Sequence, residues 1–241
     1  MNYVLAKYID HTLLKPESTA EQIEKLCKEA IKYGFFAVCV PPYFVKHAKH
    51  FLENAYMEFN TSALRTPSLN QGRSTASKVK VATVAGFPLG YSTTETKAAE
   101  TEKALQDGAD EVDMVINIAA VKSGDWDYVR KDIETLLHIC HAQKMLLKVI
   151  FETALLTDEE IVKLCRICAD IKVDFVKTST GFSTAGATVH HVELMRKNLP
   201  DEVKIKAAGG IKNRTFAEEL IAAGADRLGT SSGITIIVNK E

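Results

Sequence analysis

A chain of 241 residues with 46% hydrophobic residues, 25% charged residues and a formal net charge of -1 has the composition of a soluble globular protein. The balanced charge gives no indication of a nucleic-acid or membrane partner, and no apolar run approaches the roughly 18 residues that a membrane span needs. The five cysteines are odd in number and lie in apolar patterns, and the N-terminus lacks the apolar core of a signal peptide, so we expect a cytoplasmic protein with free thiols.

Short β-rich runs alternate with amphipathic helical stretches along the whole chain. The predicted strands are 8–14, 35–40, 79–85, 111–116, 146–151, 175–178, 203–207 and 227–229. Strict alternation predicts parallel strands with right-handed crossovers, in either an open doubly wound sheet or a closed barrel. Polar residues at many strand ends, and the lack of a Gly-x-Gly-x-x-Gly turn after the first strand, favour a single (β/α)₈ TIM-barrel domain over residues 1–241.

Capping signatures mark three helix starts. A Ser or Thr followed three residues later by Glu is typical of a capping box. The pairs are Ser18 with Glu21, Ser92 with Glu95, and Thr157 with Glu160.

One segment, from about residue 54 to 77, interrupts the alternation. It is polar, contains Pro and Gly, and has no hydrophobic periodicity, which predicts a loop insertion. Because it joins a helix to the following strand, it belongs to the N-terminal face of a barrel, opposite the usual active site, and we expect no catalytic role for it.

Three lysines lie in or at the ends of apolar strands, although lysine is rarely fully buried. They are Lys148, Lys177 and Lys206. A single one is as well explained by a side chain that extends its amine to solvent. Three on consecutive strands favour the barrel interior, where Lys177 and Lys206 come within several ångströms of each other. Two close, partly desolvated ammonium groups depress one pKa, and a neutral amine is what Schiff-base chemistry needs.

Two aspartates also lie on predicted strands. Asp113 is expected either to pair with a lysine for structure or to serve proton transfer through water, and the two roles are compatible. For Asp10, the sequence supports a structural role and a role in the site equally well.

A phosphate pocket is predicted after the seventh and eighth strands. The segments AAGGI (207–211) and GTSSG (229–233) place glycines and hydroxyls where barrels commonly bind phosphate. The expected phosphate-binding residues are Gly209, Gly210, Gly229, Ser231 and Ser232.

Other chemistries find little support in the sequence. The seven histidines show no strand-end cluster with metal-ligand spacing, and His190 and His191 are expected to point in different directions. Cys165 and Cys168 lie on a helix stripe and are expected to pack in the core.

At these positions the sequence resembles deoxyribose-phosphate aldolase, a class I aldolase family with a barrel fold. The matching segments are YIDHTLLKP (8–16), AVCV (37–40), VATVAGFPLG (81–90), EVDMVI (111–116), LKVIFET (147–153), VKTSTGF (176–182), KAAGGI (206–211) and GTSSG (229–233). The resemblance implies reversible, metal-independent cleavage of 2-deoxy-D-ribose 5-phosphate to acetaldehyde and D-glyceraldehyde 3-phosphate, without a cofactor.

The resemblance also implies roles for individual residues. Lys177 would form the Schiff base, Lys206 would perturb its pKa and join the proton relay, and Asp113 would donate and accept protons. Further substrate contacts are expected from the same segments, at Asp10, Cys39, Lys148, Thr180 and Gly181. The 54–77 segment and the short stretch after Gly233 depart from the family's pattern.

The nearest alternative is another phosphosugar barrel, such as a different Schiff-base aldolase or a transaldolase-like enzyme. A phosphosugar-binding protein without activity is the alternative from another class, but it gives no reason for two lysines on neighbouring interior strands. The expected partners are a phosphosugar substrate and possible further copies of the chain.

Overall fold

Eight parallel strands close into a barrel in the computed structural model, which describes residues 3–65 and 78–238. The strands are β1 (Ile9–Thr12), β2 (Ala37–Cys39), β3 (Lys80–Ala85), β4 (Glu111–Val115), β5 (Leu146–Ile150), β6 (Phe175–Lys177), β7 (Lys204–Ala208) and β8 (Arg227–Thr230). Each pairs with the next in sequence order, and β8 pairs with β1. The predicted (β/α)₈ barrel is confirmed.

Helices alternate with the strands and surround the barrel. They are α1 (Tyr3–Ala6), α2 (Ala20–Tyr33), α3 (Val45–Arg65), α4 (Thr94–Gln106), α5 (Ile118–Lys122), α6 (Trp126–Ala142), α7 (Asp158–Asp170), α8 (Val189–Lys197), α9 (Arg214–Ala222) and α10 (Gly233–Val238). Short 3₁₀ turns cover Pro42–Phe44 and Thr153–Leu155. Of the helices that the structure describes, none is long and apolar enough to cross a membrane.

The predicted helix caps are partly correct. Thr157 caps α7, and Glu160 completes its capping box. The first two pairs were wrong by one residue, because Thr19 and Thr93 adopt the extended backbone that an N-cap needs. Gln22 closes the capping box with Thr19.

The predicted loop over 54–77 was wrong in its first half. Helix α3 continues through Arg65, and the rest of the segment, 66–77, lies outside the described residues. The Tyr56 hydroxyl accepts a 2.8 Å hydrogen bond from the Val79 amide, so α3 is fixed against the start of β3.

The apolar core lies between the strands and the surrounding helices. From α6, Ile133 and Leu136 pack here, and all five cysteines are buried free thiols. Cys165 and Cys168 belong to this core, as predicted. The interior of the barrel is different, because it holds several charged side chains.

Candidate active site

Three lysines and one aspartate meet inside the barrel. Asp113 on β4 is aligned with Lys148 on β5, and Lys177 on β6 is aligned with Lys206 on β7. The Lys177 and Lys206 amines lie 2.8 Å and 2.9 Å from the same Asp113 oxygen, Oδ2. The Lys148 amine lies 2.7 Å from the other oxygen, Oδ1. The four residues that the sequence predicted on separate strands therefore form one cluster.

The electrostatics of this cluster separate the lysines. Burial lowers the pKa of Lys177; the Asp113 carboxylate opposes this effect, and the Lys206 ammonium adds to it. Burial also disfavours protonation of Lys206, but Asp10 and Asp113 outweigh it and raise its pKa. Lys177 is thus the more easily deprotonated of the two. The expected direction for Lys177 is correct, although burial contributes more than the neighbouring ammonium.

The Asp113 side chain is fully buried and strongly acidic. Burial disfavours its ionised form, but the charges of Lys148, Lys177 and Lys206 together hold its pKa well below the usual range. Asp113 is therefore a carboxylate at neutral pH, and it accepts hydrogen bonds from all three amines. A proton that it exchanges with substrate has to pass through an amine or a bound water.

Asp10 lies on β1, also fully buried. Its Oδ2 is 2.6 Å from the Lys206 amine, and its Oδ1 accepts a hydrogen bond of 2.9 Å from Arg227 on β8. Burial opposes ionisation, but Lys206 and Arg227 lower the pKa of Asp10 from 3.8 to about 2. Asp10 is thus a second carboxylate, besides Asp113, in contact with the Lys206 amine.

A cavity of about 330 Å³ opens at the carboxyl ends of the strands. Its wall includes Lys177 and the predicted substrate and phosphate residues Thr180, Gly181, Gly209, Gly210, Gly229, Ser231 and Ser232. The described residues that line the cavity do not include Lys148, Cys39 or Asp10. Cys39 is buried, and burial raises the pKa of its thiol. Substrate contacts by these three residues stay predictions. Their positions outside the cavity wall do not support such contacts.

Glycine allows the loops after β6 and β7 to touch beside the cavity. A Cβ atom on Gly186 would lie 2.2 Å from the Gly209 carbonyl oxygen, which is closer than real contacts permit. Gly209 and Gly210 both have positive φ angles, 85° and 77°, which favour glycine. The wall between the Lys177 loop and the predicted phosphate loop is therefore built from backbone in direct contact.

Comparison with known proteins identifies the family of this chain. The family model described as "DeoC/LacD family aldolase" matches residues 4–237. The chain belongs to the DeoC/LacD aldolase family. The deoxyribose-phosphate aldolase of Thermococcus gammatolerans is 52% identical over 233 residues, which cover 97% of this chain and 95% of that protein. The deoxyribose-phosphate aldolase of Brevibacillus brevis is 49% identical, covering 96% and 94%.

Solved structures of similar proteins share the architecture. The aldolase QR15 superimposes with a TM-score of 0.82 at 39% identity, covering 96% of this chain and 93% of that chain. The deoxyribose phosphate aldolase of Aeropyrum pernix, described as a unique tetrameric structure, has a TM-score of 0.82 at 29% identity, covering 97% and 89%.

In this DeoC/LacD aldolase the structure adds candidate site residues that were not predicted from the sequence. Lys15 and Lys212 line the cavity near the predicted phosphate loops. The Glu152 carboxylate, which is buried after β5, accepts hydrogen bonds from the Thr180 amide (3.3 Å) and the Thr180 hydroxyl. Glu152 has a φ of 57°, a strained value for a residue with a side chain. Lys212 could have been found from the sequence, because it directly follows the glycine segment 207–211.

Glu111 and Arg227 are two further charged residues of the barrel interior that sequence reasoning missed. Glu111 Oε2 lies 2.6 Å from the Lys148 amine. A signal existed for Glu111, because it lies two residues before Asp113 on β4 and therefore shares its face of the strand. Arg227 begins β8, and its partner Asp10 is 217 residues away along the chain.

The expectation that His190 and His191 diverge was wrong. Their rings lie 5.4 Å apart, and with Asp158 their ligand atoms all lie within 4.8 Å of one another. Asp158 begins α7, and the histidines lie in the first turn of α8. Both helix N-termini carry positive dipole ends, which disfavour a cation at this group.

Proposed function

We propose that this protein reversibly cleaves 2-deoxy-D-ribose 5-phosphate to acetaldehyde and D-glyceraldehyde 3-phosphate through a Schiff base on Lys177. The observation that carries the proposal is the position of the Lys177 amine. It lies in the wall of the cavity, in an environment that lowers its pKa, and the same cavity is lined by the glycine and serine loops after β7 and β8. The named activity of the relatives from Thermococcus gammatolerans and Brevibacillus brevis supports the same reaction.

The first half of the reaction forms the covalent bond. The neutral Lys177 amine adds to the C1 carbonyl carbon of the open-chain sugar phosphate, and the resulting carbinolamine loses water to give an iminium ion. The iminium nitrogen then accepts the electron pair of the C2–C3 bond as that bond breaks. Cleavage requires loss of the C3 hydroxyl proton, and D-glyceraldehyde 3-phosphate leaves.

The second half regenerates the amine. The enamine that remains on Lys177 is protonated at C2, and water hydrolyses the new iminium ion to acetaldehyde and free lysine. We infer that a water molecule held by Asp113 and Lys206 carries the proton in both directions. Asp113 is ionised and Lys206 is protonated, so the pair offers an acceptor and a donor to that water.

We expect the substrate phosphate to bind at the β7–β8 side of the cavity. There Gly209, Gly210 and Gly229 leave the backbone accessible, and Ser231 and Ser232 offer hydroxyl and amide donors. Lys212 adds a cation to the same wall. Binding of the remote phosphate then supplies energy for orientation at the reacting carbon.

We expect no metal or cofactor requirement, so that prolonged dialysis against a chelator leaves turnover unchanged.

Trapping of the covalent adduct tests this proposal. Acetaldehyde and borohydride should leave a reduced two-carbon group on the peptide that contains Lys177, as read by peptide mass spectrometry. Lys177→Arg keeps the positive charge but should give neither adduct nor turnover. An adduct on another lysine, or substantial activity of the variant, would contradict the assignment.

A substrate panel separates the alternatives. A phosphosugar-binding protein without activity would bind ligand but give no adduct. A different Schiff-base aldolase would give the adduct with another donor and would leave 2-deoxy-D-ribose 5-phosphate uncleaved.

We further propose a homo-oligomer, as the tetrameric Aeropyrum pernix relative suggests, and light scattering of the purified protein measures its size.

A further inference from the structure

Two of the charged groups in the barrel interior do not touch Lys177. The Arg227 guanidinium donates a hydrogen bond of 2.9 Å to Asp10, and its Nη1 lies 3.7 Å from Glu111. Glu111 in turn lies 2.6 Å from the Lys148 amine. Arg227 is stacked 3.4 Å from the ring centre of Phe36, and only 7% of its side chain is exposed. Both groups are therefore out of reach of the substrate cavity.

Together with the residues around Asp113, these groups form a closed ring of alternating charge. In order around the ring, the members are Asp113, Lys206, Asp10, Arg227, Glu111 and Lys148, and the last contacts the first. The side chains are 7% exposed or less. Three carboxylates and three cations sum to zero, so the ring is neutral on its own.

Lys177 is attached to this ring at Asp113 but is not part of it. A protonated Lys177 would be a fourth cation among three carboxylates, and only 3% of its side chain is exposed, so an uncompensated charge there is disfavoured. A neutral Lys177 leaves the interior balanced. The charge count therefore favours the form of the amine that can attack a carbonyl.

We propose that Arg227 and Glu111 are positioning residues that keep the ring electrically neutral and thereby hold Lys177 in its neutral, reactive form. The inference rests on the proposed Schiff-base function. The groups that face Lys177 from other strands are Asp113 of β4, Lys206 of β7 and Cys39 of β2. Burial raises the pKa of the Cys39 thiol, so the thiol stays protonated. The ring members Lys148 and Lys206 both have raised pKa values, whereas Lys177 has a lowered one.

Two isolated charge removals should shift the activity profile in opposite directions. Arg227→Gln leaves the ring with an excess negative charge, which favours the Lys177 ammonium and moves the acid limb of kcat/KM to higher pH. Glu111→Gln leaves an excess positive charge and moves that limb to lower pH. A shift of about one pH unit is expected for a unit charge roughly 10 Å away at an effective dielectric constant near 20.

Two further variants separate charge from structure. Arg227→Lys keeps the charge but loses the stacking on Phe36, and its acid limb should stay near that of the unaltered protein. The double variant Glu111→Gln with Arg227→Gln is neutral again and should also return to it, which gives a result even if one single variant fails to fold. Acid limbs that do not move, or that move in the same direction in both single variants, would overturn the inference.

The pH dependence of adduct formation provides the second readout. The rate of borohydride-trapped adduct formation with acetaldehyde should follow the same shifts as kcat/KM. If the unaltered protein gives no adduct on Lys177, the proposed function itself fails. If the adduct forms in every variant with an unchanged pH dependence, only the role of the ring fails.

Discussion

At the scale of single residues, burial has opposite outcomes for two lysines on adjacent strands. Lys206 lies between two carboxylates, those of Asp10 and Asp113, and its pKa rises. Of the carboxylates in residues 3–65 and 78–238, Lys177 contacts only that of Asp113, at 2.8 Å, and burial lowers the pKa of Lys177. The number of carboxylates within reach of each amine therefore decides which lysine stays charged and which can act as a nucleophile.

Removing the Lys206 charge should raise the pKa of Lys177. In Lys206→Met the neighbouring ammonium no longer disfavours protonation of Lys177, and Asp113 is left with one cation fewer to bind. We expect the acid limb of kcat/KM to move to higher pH, together with lower turnover because the proton-relay water loses its donor. The profile is measured by coupled assay across pH 5–10, a range of roughly five units that brackets the relevant lysine pKa values.

Lys25→Met is the matched control, because Lys25 lies on the exposed face of α2 with 77% of its side chain accessible. Its profile should coincide with that of the unaltered protein. A Lys206→Met profile that also coincides with it would leave Lys206 without an electrostatic effect on Lys177.

At the scale of elements, α4 and α6 are joined by a buried ion pair outside the barrel. The Lys97 amine lies 2.6 Å from Asp132, which also accepts a 2.9 Å hydrogen bond from Thr94. Both charged side chains are 1% exposed or less. The stem of Lys97 packs on Gly86, where a Cβ atom would lie 2.8 Å from its Cε. Lys97 therefore holds the start of α4 both to α6, through Asp132, and to the turn after β3, through Gly86.

Breaking this pair on one side should destabilise the protein much more than replacing it. Lys97→Met leaves the Asp132 carboxylate buried without its counter-ion, at an expected cost of about 3–5 kcal/mol in the free energy of unfolding. The double variant Lys97→Met with Asp132→Leu should recover most of that loss. Urea unfolding followed by circular dichroism measures both.

A pair at the surface, between Lys103 in the last turn of α4 and Asp107 just after the helix, provides the comparison. Lys103→Met should change the free energy of unfolding by less than about 1 kcal/mol, because solvent screens exposed pairs. Equal effects of Lys97→Met and Lys103→Met would contradict the importance of burial.

All eight strands could be located from the sequence, because short β-rich runs alternate with amphipathic helical stretches along the chain. Helix α3 was underestimated because residues 54–65 were interpreted by their polar composition, although Ala, Met, Glu and Leu within them are good helix formers. The helix starts of α2 and α4 were misplaced because Ser and Thr lie side by side there, and only the backbone angles distinguish the cap.

The lysine cluster could also be predicted, since each member lies on a strand of its own. The contact between Arg227 and Asp10 could not, because it depends on how β8 closes against β1. Local patterns describe one strand at a time and carry no information about register across that closure.

At the scale of the whole molecule, barrel closure ties stability to pH through Asp10. Its pKa is about 2 in the folded protein and 3.8 ordinarily. A lowered folded-state pKa contributes stability that is complete above the unfolded value and is lost as the pH falls through the folded one. Between about pH 4 and pH 2 the protein should therefore lose about 2 kcal/mol through this group.

Asp10→Asn tests this acid sensitivity. The variant should be less stable than the unaltered protein at pH 6, because Lys206 and Arg227 lose a counter-ion. Its free energy of unfolding should fall less between pH 4 and pH 2, as measured by urea unfolding at each pH. A parallel decline of the two proteins would show that Asp10 does not titrate with unfolding.

The charged ring divides the chain into two unlike parts. Its three carboxylates come from β1 and β4, and its three cations come from β5, β7 and β8, so every acid precedes every base in the sequence. A half-barrel ending after β4 would carry three inward-facing negative charges without a counter-ion, and the remaining half would carry the matching positive ones. Neither half can desolvate its inner surface alone, and each is the electrostatic complement of the other, so the interior is completed only when the two halves associate.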